Sequence, residues 1–371
     1  MRIGVDARLL ARPLTGIGRY THEMVNALLR ADADLILYAP GPLIHPLHQG
    51  AGRARQRIVA TKGGGAGRVL WGQAVLPLLV RRDRPDIFWG PAHRLPAALP
   101  RSIFGCLTIH DLVWRFAGET MRPASRLMEK VLMPPALKRA DSIVAVSQHT
   151  RTDIERSFPG LKADVSVIYP GVAERPPGHA ASHLARWGIA RPYILFVGTL
   201  EPRKNLARLL QAYAALPAEA RQKADLVVAG GAGWGDVDLE KAVASLCLRG
   251  SVHLTGYVDE RELSTLYENA LFLAMPSLYE GFGLPLAEAM RYGLPSLTAD
   301  VSSMPEVAGE AALLVDPLDT GAITDGLQRM ICLPELRARL SQAAQASVAR
   351  FDWDHGAQQL LELFARRGKR A

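Results

Sequence analysis

Short apolar runs separated by longer stretches of helical periodicity repeat along this 371-residue chain, and few architectures accept that order. The first series is Arg2 to Val5, Leu35 to Tyr38, Ile58 to Ala60, Ile87 to Trp89, Ile103 to Ile109, Ser142 to Val146 and Val165 to Ile168. A second series is Tyr193 to Val197, Ala224 to Ala229, Val252 to Leu254, Leu271 to Ala274 and Ser296 to Thr298. A short, wholly apolar run suits a strand covered on both faces, and a helical crossover between such strands makes their pairing parallel. The alternation predicts an α/β chain with two sheets of similar size. Pro170 to His183 (PGVAERPPGHAASH) lies between the series, has no strand pattern and carries the prolines and glycines of a linker. The expected division is a first domain over 1–170, a hinge over 171–189, a second domain over 190–350, and a terminal helix over 351–371 that can pack back on the first domain.

Composition narrows the classes of function. With 49% apolar and 22% charged residues the chain is globular rather than disordered. Its formal charge of +8 is uneven: residues 1–170 hold 24 basic and 13 acidic side chains, the rest 20 and 23. A basic half beside a mildly acidic half implies an anionic partner for the first, whether substrate, membrane surface or nucleic acid. Few aromatics interleave with those basic residues and no nucleic-acid signature is present, so nucleic acid is the least favoured of the three. Arg53 to Arg68 and Met121 to Arg139 mix basic side chains with Leu, Met and Val, as a surface meeting an anionic leaflet would; ordinary helices with a basic outer face are the competing reading. Pro134 and Pro135 are expected to break the second stretch. Lys62 to Gly67 (KGGGAG) reads as a loop. Cys106, Cys247 and Cys332 have no paired spacing and read as reduced, buried thiols. The start MRIGVDARLL lacks a signal-peptide pattern, and the apolar stretch Val69 to Val80 is too short and interrupted to span a bilayer. A cytoplasmic protein, able to sit peripherally on a membrane, is expected.

The richest chemistry lies in Pro276 to Met290, PSLYEGFGLPLAEAM. It follows a strand, and Pro285 suits the first turn of a helix, where its missing amide proton has no partner to lose. Gly281 and Gly283 let the backbone approach a ligand, so the amides of Phe282, Gly283 and Leu284 can meet ligand oxygens at a helix N-terminus. Glu280 and Glu288 flank this turn, and the positive end of the helix favours a carboxylate at the second. Acceptors at both ends and donors between them match a sugar nucleotide; a loop with two solvated glutamates is the bland alternative.

Here the chain resembles the retaining glycosyltransferases of family 4, through an E-x7-E element formed by Glu280 and Glu288. The similarity extends in order through TGIGRY at Thr15 to Tyr20, TIHDL at Thr108 to Leu112, AVSQHTRTDI at Ala145 to Ile154, YPGV at Tyr169 to Val172 and FVGTLEPRKNL at Phe196 to Leu206. It continues through TGYVDERELSTLYENA at Thr255 to Ala270 and SSMPEVAGEAALLVDP at Ser302 to Pro317. The resemblance implies a GT-B fold, two Rossmann-like domains facing each other across a cleft, and transfer of a hexose from a nucleotide sugar with retention.

Individual residues carry readings of their own beside it. Gly16 and Gly18 open a helix after the first strand and can offer amides to an anion, or form only a tight turn; the resemblance implies that they meet the donor's diphosphate. Arg203 and Lys204 follow the strand Tyr193 to Val197 and can stabilise a departing diphosphate. Many family members have arginine where Thr199 stands, so Arg203 supplies that second cation or it comes from elsewhere. His110 and Asp111 end the strand Ile103 to Ile109 at the carboxyl edge, where open α/β sheets bind ligands. A neutral imidazole can orient a sugar hydroxyl, and Asp111 can orient the ring or bind acceptor. Tyr257 and Val258 line the base pocket by family analogy, largely through main chain.

No metal or other cofactor is expected. The DxD pairs at Asp32 and Asp34, Asp236 and Asp238, and Asp352 and Asp354 do not stand at strand ends, and no His/Cys cluster has zinc spacing. The expected partners are a nucleotide-sugar donor, a glycan or lipid-linked acceptor and an anionic membrane surface. The GTLEPRKN and SSMPEVAG blocks resemble bacterial mannosyltransferases of O-antigen or exopolysaccharide synthesis, which implies GDP-mannose first and a UDP-hexose second. A same-fold epimerase or phosphorylase and a nucleic-acid-binding protein are the alternatives carried forward.

Overall fold

A computed structural model describes residues 1–48, 52–61, 64–231, 233–234 and 239–366. Two parallel sheets organise the chain. The first runs β3-β2-β1-β4-β5-β6-β7, from β1 (Arg2–Asp6), β2 (Asp34–Ala39), β3 (Arg53–Ile58), β4 (Ile87–Gly90), β5 (Phe104–Ile109), β6 (Ser142–Ala145) and β7 (Asp164–Val167). The second runs β10-β9-β8-β11-β12-β13, from β8 (Tyr193–Val197), β9 (Asp225–Ala229), β10 (Val252–Gly256), β11 (Phe272–Met275), β12 (Ser296–Ala299) and β13 (Ala312–Val315). Central strands such as β4, β9 and β11 are buried on both faces, as continuous apolar runs require. In the second sheet Ile194, Phe196, Leu226, Val228, Phe272 and Ala274 meet Leu209, Leu210, Tyr213 and Leu327 from flanking helices. Each large side chain so buried contributes ~1.5–3 kcal/mol.

Strand order reverses direction between β1 and β4 in the first sheet and between β8 and β11 in the second. At such switch points the loops after neighbouring strands diverge and leave a crevice at the carboxyl edge, where ligands of this architecture bind.

The contacts divide the chain into two units: Met1–Leu112, Ala124–Gly171 and Phe351–Ala371 form the first, Val113–Pro123 and Val172–Arg350 the second. Within the first, the terminal helix Trp353–Ala365 lies on the helix Gly16–Arg30. Trp353 is edge-on to Tyr20 at 5.6 Å, and Asp354 pairs with Arg30 at 2.6 Å.

Five expectations need correction, the first being the loop at KGGGAG: from Gly64 onward it opens the helix Gly64–Leu70. The third strand is Arg53–Ile58 (RARQRI), not Ile58 to Ala60; it is a fully exposed edge strand whose charges guard the sheet margin, so apolarity does not mark it. β13 was not anticipated. The helix Pro123–Arg139 continues through Pro134 and Pro135. Proline's fixed φ is itself helical, and burial of Met133, Ala136 and Leu137 holds the turn whose amide bonds are lost. Of the cysteines only Cys106 is buried; Cys247 is exposed in a left-handed turn after the helix Leu239–Ser245, and Cys332 is half-buried.

Candidate active site

The switch point of the second sheet carries a cluster of opposite charges. After β8 the chain makes a short helical turn, Pro202–Lys204, and Asn205 follows at φ 61°. The Asn205 side-chain amide donates to the carbonyls of Pro276 (2.9 Å) and Pro317 (2.7 Å), so one residue ties together the loops after β8, β11 and β13. Lys204 Nζ donates to Glu280 Oε1 at 2.6 Å, and Arg203 pairs with Glu280 Oε2 while also donating to the Tyr279 carbonyl at 2.9 Å. Ser302 Oγ accepts from the Glu280 amide and Ser303 Oγ donates to the Glu280 carbonyl, each at 3.0 Å. Glu280 is thus fixed through side chain and backbone. Burial alone would raise its pKa, but the Arg203 and Lys204 cations beside it outweigh that and hold the carboxyl at about 2.

Close backbone packing sets this loop. A Cβ on Gly230 would lie 1.9 Å from the Gly198 carbonyl oxygen, so the ends of β8 and β9 approach only because residue 230 has no side chain. Phe116 stacks on Tyr279, with centroids 6.2 Å apart and planes within 12°, and Val113 and Ala117 complete a small apolar cluster around that ring.

Gly283, at φ 90°, caps the helix Leu284–Arg291, with Pro285 in its first turn. The amides of Phe282, Gly283 and Leu284 lie at this N-terminus, and Glu288 projects one turn further on. The buried Glu288 is not left to the helix dipole: Arg175 pairs with Oε1 at 2.5 Å and the Tyr267 hydroxyl donates to Oε2 at 3.0 Å. Tyr257 and Val258 follow β10; the Tyr257 ring is 82% exposed and Val258 half-buried.

The remaining sequence-derived residues belong to the first unit, at the carboxyl edge of its sheet. Gly16 starts the helix Gly16–Arg30, whose N-cap Thr15 gives no side-chain hydrogen bond. A Cβ on Gly16 would meet nothing within 4 Å, so no steric need explains that glycine; one on Gly18 would touch Leu14 at 3.4 Å. His110 follows β5 and is buried. Its Nε2 faces the Pro91 carbonyl at 2.7 Å, and a carbonyl only accepts, so Nε2 carries the proton and Nδ1 is the acceptor. Burial, and then the neighbouring His93, push the His110 pKa down from 6.5 to about 3, so the ring is neutral. Its amide donates to His93 Nε2 at 2.9 Å, and Thr150 Oγ1 donates to its carbonyl at 3.2 Å. His93 in turn faces Glu129, which a two-pronged Arg94 holds at 2.6 and 2.8 Å. Asp111 is half-buried at the next position.

Asp32 stands in a turn at φ 58°, and Asp34 pairs with Arg2 at 3.1 Å. Asp352 caps the terminal helix by accepting from the His355 amide at 2.6 Å. Asp236 and Asp238 lie outside the described residues. Among the described residues no group of three or more His, Cys, Asp or Glu could hold a metal ion, and no helix is long and apolar enough to cross a membrane.

Two family models match the chain: "Glycosyltransferase Family 4" over residues 14–176 and "Glycosyl transferases group 1" over residues 186–347. An "O-antigen chain mannosyltransferase B" of Escherichia coli is 33% identical over 98% of this chain and 99% of its own length. The chain belongs to the family 4, group 1 glycosyltransferases. A "serotype-specific mannosyltransferase WbdA" of Escherichia coli is 27% identical over 81% of this chain, which spans 39% of that longer protein. Among solved structures, sucrose-phosphate synthase from Thermosynechococcus elongatus superposes with a TM-score of 0.79 at 20% identity, covering 100% of both chains. WaaG, a glycosyltransferase involved in lipopolysaccharide biosynthesis, gives 0.76 at 17% identity over 98% of this chain and 99% of its own. The fold of this glycosyltransferase is GT-B, with its two Rossmann-like sheets.

Within this enzyme the structure brings Arg203, Lys204 and Glu280 into one bonded cluster that the sequence could only treat as separate residues. It adds Asn205, Tyr267, Ser302 and Ser303, which sit inside the family-like motifs without a task that the sequence assigns, and Arg175. Arg175 lies in the proline-rich linker, where a lone arginine gives no local signal.

Proposed function

We propose that this glycosyltransferase is a retaining mannosyltransferase that moves mannose from GDP-mannose to a hydroxyl of a glycan or lipid-linked oligosaccharide in cell-surface polysaccharide synthesis. The observation that carries this reading is the near full-length similarity to an O-antigen chain mannosyltransferase, taken with the Arg203–Lys204–Glu280 cluster at the sheet's switch point. In this reading Glu288 accepts from the ribose diol, and Glu280 with the Gly281, Phe282 and Gly283 amides binds the hexose hydroxyls. Arg203 and Lys204 take up the charge that grows on the leaving diphosphate, which fixed cations stabilise best where water is scarce. The Gly16 and Gly18 amides meet the diphosphate, and His110, neutral with Nδ1 as acceptor, orients a sugar hydroxyl. Tyr257 and Val258 border the base. The bond from the anomeric carbon to the diphosphate breaks, the acceptor oxygen bonds that carbon on the same face, and the acceptor's proton passes to the leaving phosphate oxygen. Neither a metal nor another cofactor enters these steps.

Titration calorimetry with GDP, UDP and ADP tests the base, and product analysis with a panel of nucleotide sugars and a lipid-linked acceptor tests transfer and anomeric outcome. Tight GDP binding with mannosyl product supports the reading; hydrolysis or epimerisation without acceptor would overturn it. A UDP-hexose donor is the second reading, since a similar fold, Anabaena HepE, is known in complex with UDP and glucose.

The acceptor side is proposed to be a membrane surface, with the enzyme cytoplasmic and peripheral. The helix Pro123–Arg139 turns Leu127 (62% exposed), Met128 and Val131 (56%) outward beside the exposed Arg126 and Lys130, the mixture that favours an anionic leaflet.

A further inference from the structure

The segment after Val172 is fastened to other elements of the second unit. The Gly178 amide donates to Glu268 at 3.1 Å and the His179 amide to Thr265 Oγ1 at 2.7 Å, while Ser264 Oγ donates to the Pro176 carbonyl at 2.8 Å. Glu174 pairs with Arg291. These bonds dock the segment without touching Glu288.

Arg175 does something different. Its side chain is only 5% exposed and pairs both with Glu260, at the start of the helix Glu260–Asn269, and with Glu288 Oε1. The opposite oxygen of Glu288 accepts from Tyr267, whose ring stacks on Tyr292 at 5.1 Å and 13°. Burial and the nearby Glu288 carboxylate raise the Tyr267 pKa well above 10, so the phenol remains a donor. A donor on each of its oxygens holds both the position and the plane of this carboxylate. A planar guanidinium bound to two carboxylates imposes direction as well as charge, which an ammonium does not. Burying that cation costs free energy unless it is paired, and the linker is already docked by other bonds, so docking alone does not account for an arginine here.

We infer that Arg175 is a positioning residue for nucleotide recognition: acting through Glu288, it holds the carboxylate in the orientation that accepts from an intact ribose 2′,3′-diol. The inference rests on the ribose role proposed above for Glu288 and extends that site to a residue of the linker. It makes preference for ribonucleotide over 2′-deoxyribonucleotide a property set partly from outside the E-x7-E element.

The test is calorimetric titration of the full chain with GDP, 2′-deoxy-GDP, UDP and 2′-deoxy-UDP, for the wild type and for Arg175→Ala, Arg175→Lys, Tyr267→Phe and Glu288→Ala. Losing hydrogen bonds to a charged group changes affinity about tenfold or more. The expected result is that Arg175→Ala weakens the preferred ribonucleotide by about that factor, weakens its 2′-deoxy form, which keeps one of the two hydroxyls, clearly less, and that Arg175→Lys recovers part of the loss. Tyr267→Phe should narrow the same preference to a smaller degree, which keeps the test open if Arg175→Ala fails to fold. Equal weakening of both sugars by the Arg175 variants overturns the positioning role in favour of general docking. Wild-type discrimination in Arg175→Ala, or in both Arg175→Lys and Tyr267→Phe, overturns it too, with Glu288 still a ribose ligand if Glu288→Ala loses affinity. If Glu288→Ala binds every nucleotide as the wild type does, the underlying ribose assignment fails.

Discussion

Lys204 Nζ stands 2.6 Å from Glu280 Oε1, across two loops 76 residues apart in the chain, with both side chains nearly excluded from solvent. The cation proposed to meet the leaving diphosphate is therefore aimed by the carboxylate proposed to meet the sugar. Disturbing either one displaces the other.

Lys204→Ala should reduce turnover about 10²–10³-fold, the usual loss when one preorganised charge-stabilising donor is removed. Glu288→Ala should instead weaken nucleotide binding and leave single-turnover transfer at saturating donor much less affected. Stopped-flow transfer and calorimetry separate the two; equal and negligible effects would refute both assignments.

Acid should expose the Glu280 pairing. Its pKa falls on folding from 4.5 to about 2, so the pairing stabilises the protein fully above the ordinary value. That contribution is lost as pH drops from about 4.5 toward 2. Urea midpoints for Glu280→Gln should be lower at pH 7 and decline less steeply than those of the wild type over the acid window.

His110 should stay neutral wherever the enzyme works, because its pKa sits near 3 instead of 6.5. Nitrogen NMR of the ring should report the Nε2–H form from pH 5 to 8, and the pH profile of transfer should contain no inflection from this residue. Stability linked to a buried neutral histidine is full above 6.5 and lost as pH falls toward 3, so His110→Asn should flatten that part of the stability curve. His93→Ala, which removes the acceptor for the His110 amide, should lower turnover more than donor affinity.

A methyl group at residue 230 has no room beside the Gly198 carbonyl. Gly230→Ala should cost about 1–3 kcal/mol, as overpacking usually does. The same substitution should raise the donor KM, because Gly198 lies against the Lys204 side chain. Thermal melting and donor titration check both effects.

Leu127→Ser with Val131→Ser should cut sedimentation with anionic vesicles several-fold without altering nucleotide affinity. Equal partitioning of the wild type between anionic and neutral vesicles would remove the membrane surface from the proposal.

Short apolar runs made most strands of both sheets readable because parallel strands buried on two faces, such as β4 and β11, carry few polar residues to disguise them. β3 escaped for the opposite reason: an edge strand such as RARQRI is paired through its backbone while its side chains remain in water. Pro134 and Pro135 misled because local propensity competes with the burial of Met133 and Leu137, which only the fold displays. In the candidate site, Glu280, Glu288, Arg203 and Lys204 stood out because they flank strand ends and glycines at motif spacing. The bonds among them did not, since Lys204 and Glu280 meet only after β8 and β11 become neighbours. Arg175 was invisible for the same reason: its partners at 260 and 288 are distant in sequence.

The short segment Val113–Pro123 departs from the first half of the chain, packs with the second unit against Tyr279, and then returns. A gene fragment cut at the linker would encode residues 172–350 without the Phe116 ring that covers Tyr279. Such a fragment would expose an aromatic face beside Glu280 and lose apolar support for the loop that presents it. Dissecting this enzyme into halves requires splicing the eleven-residue excursion onto the later fragment, and exchanging halves between relatives requires exchanging that excursion with the carboxyl half.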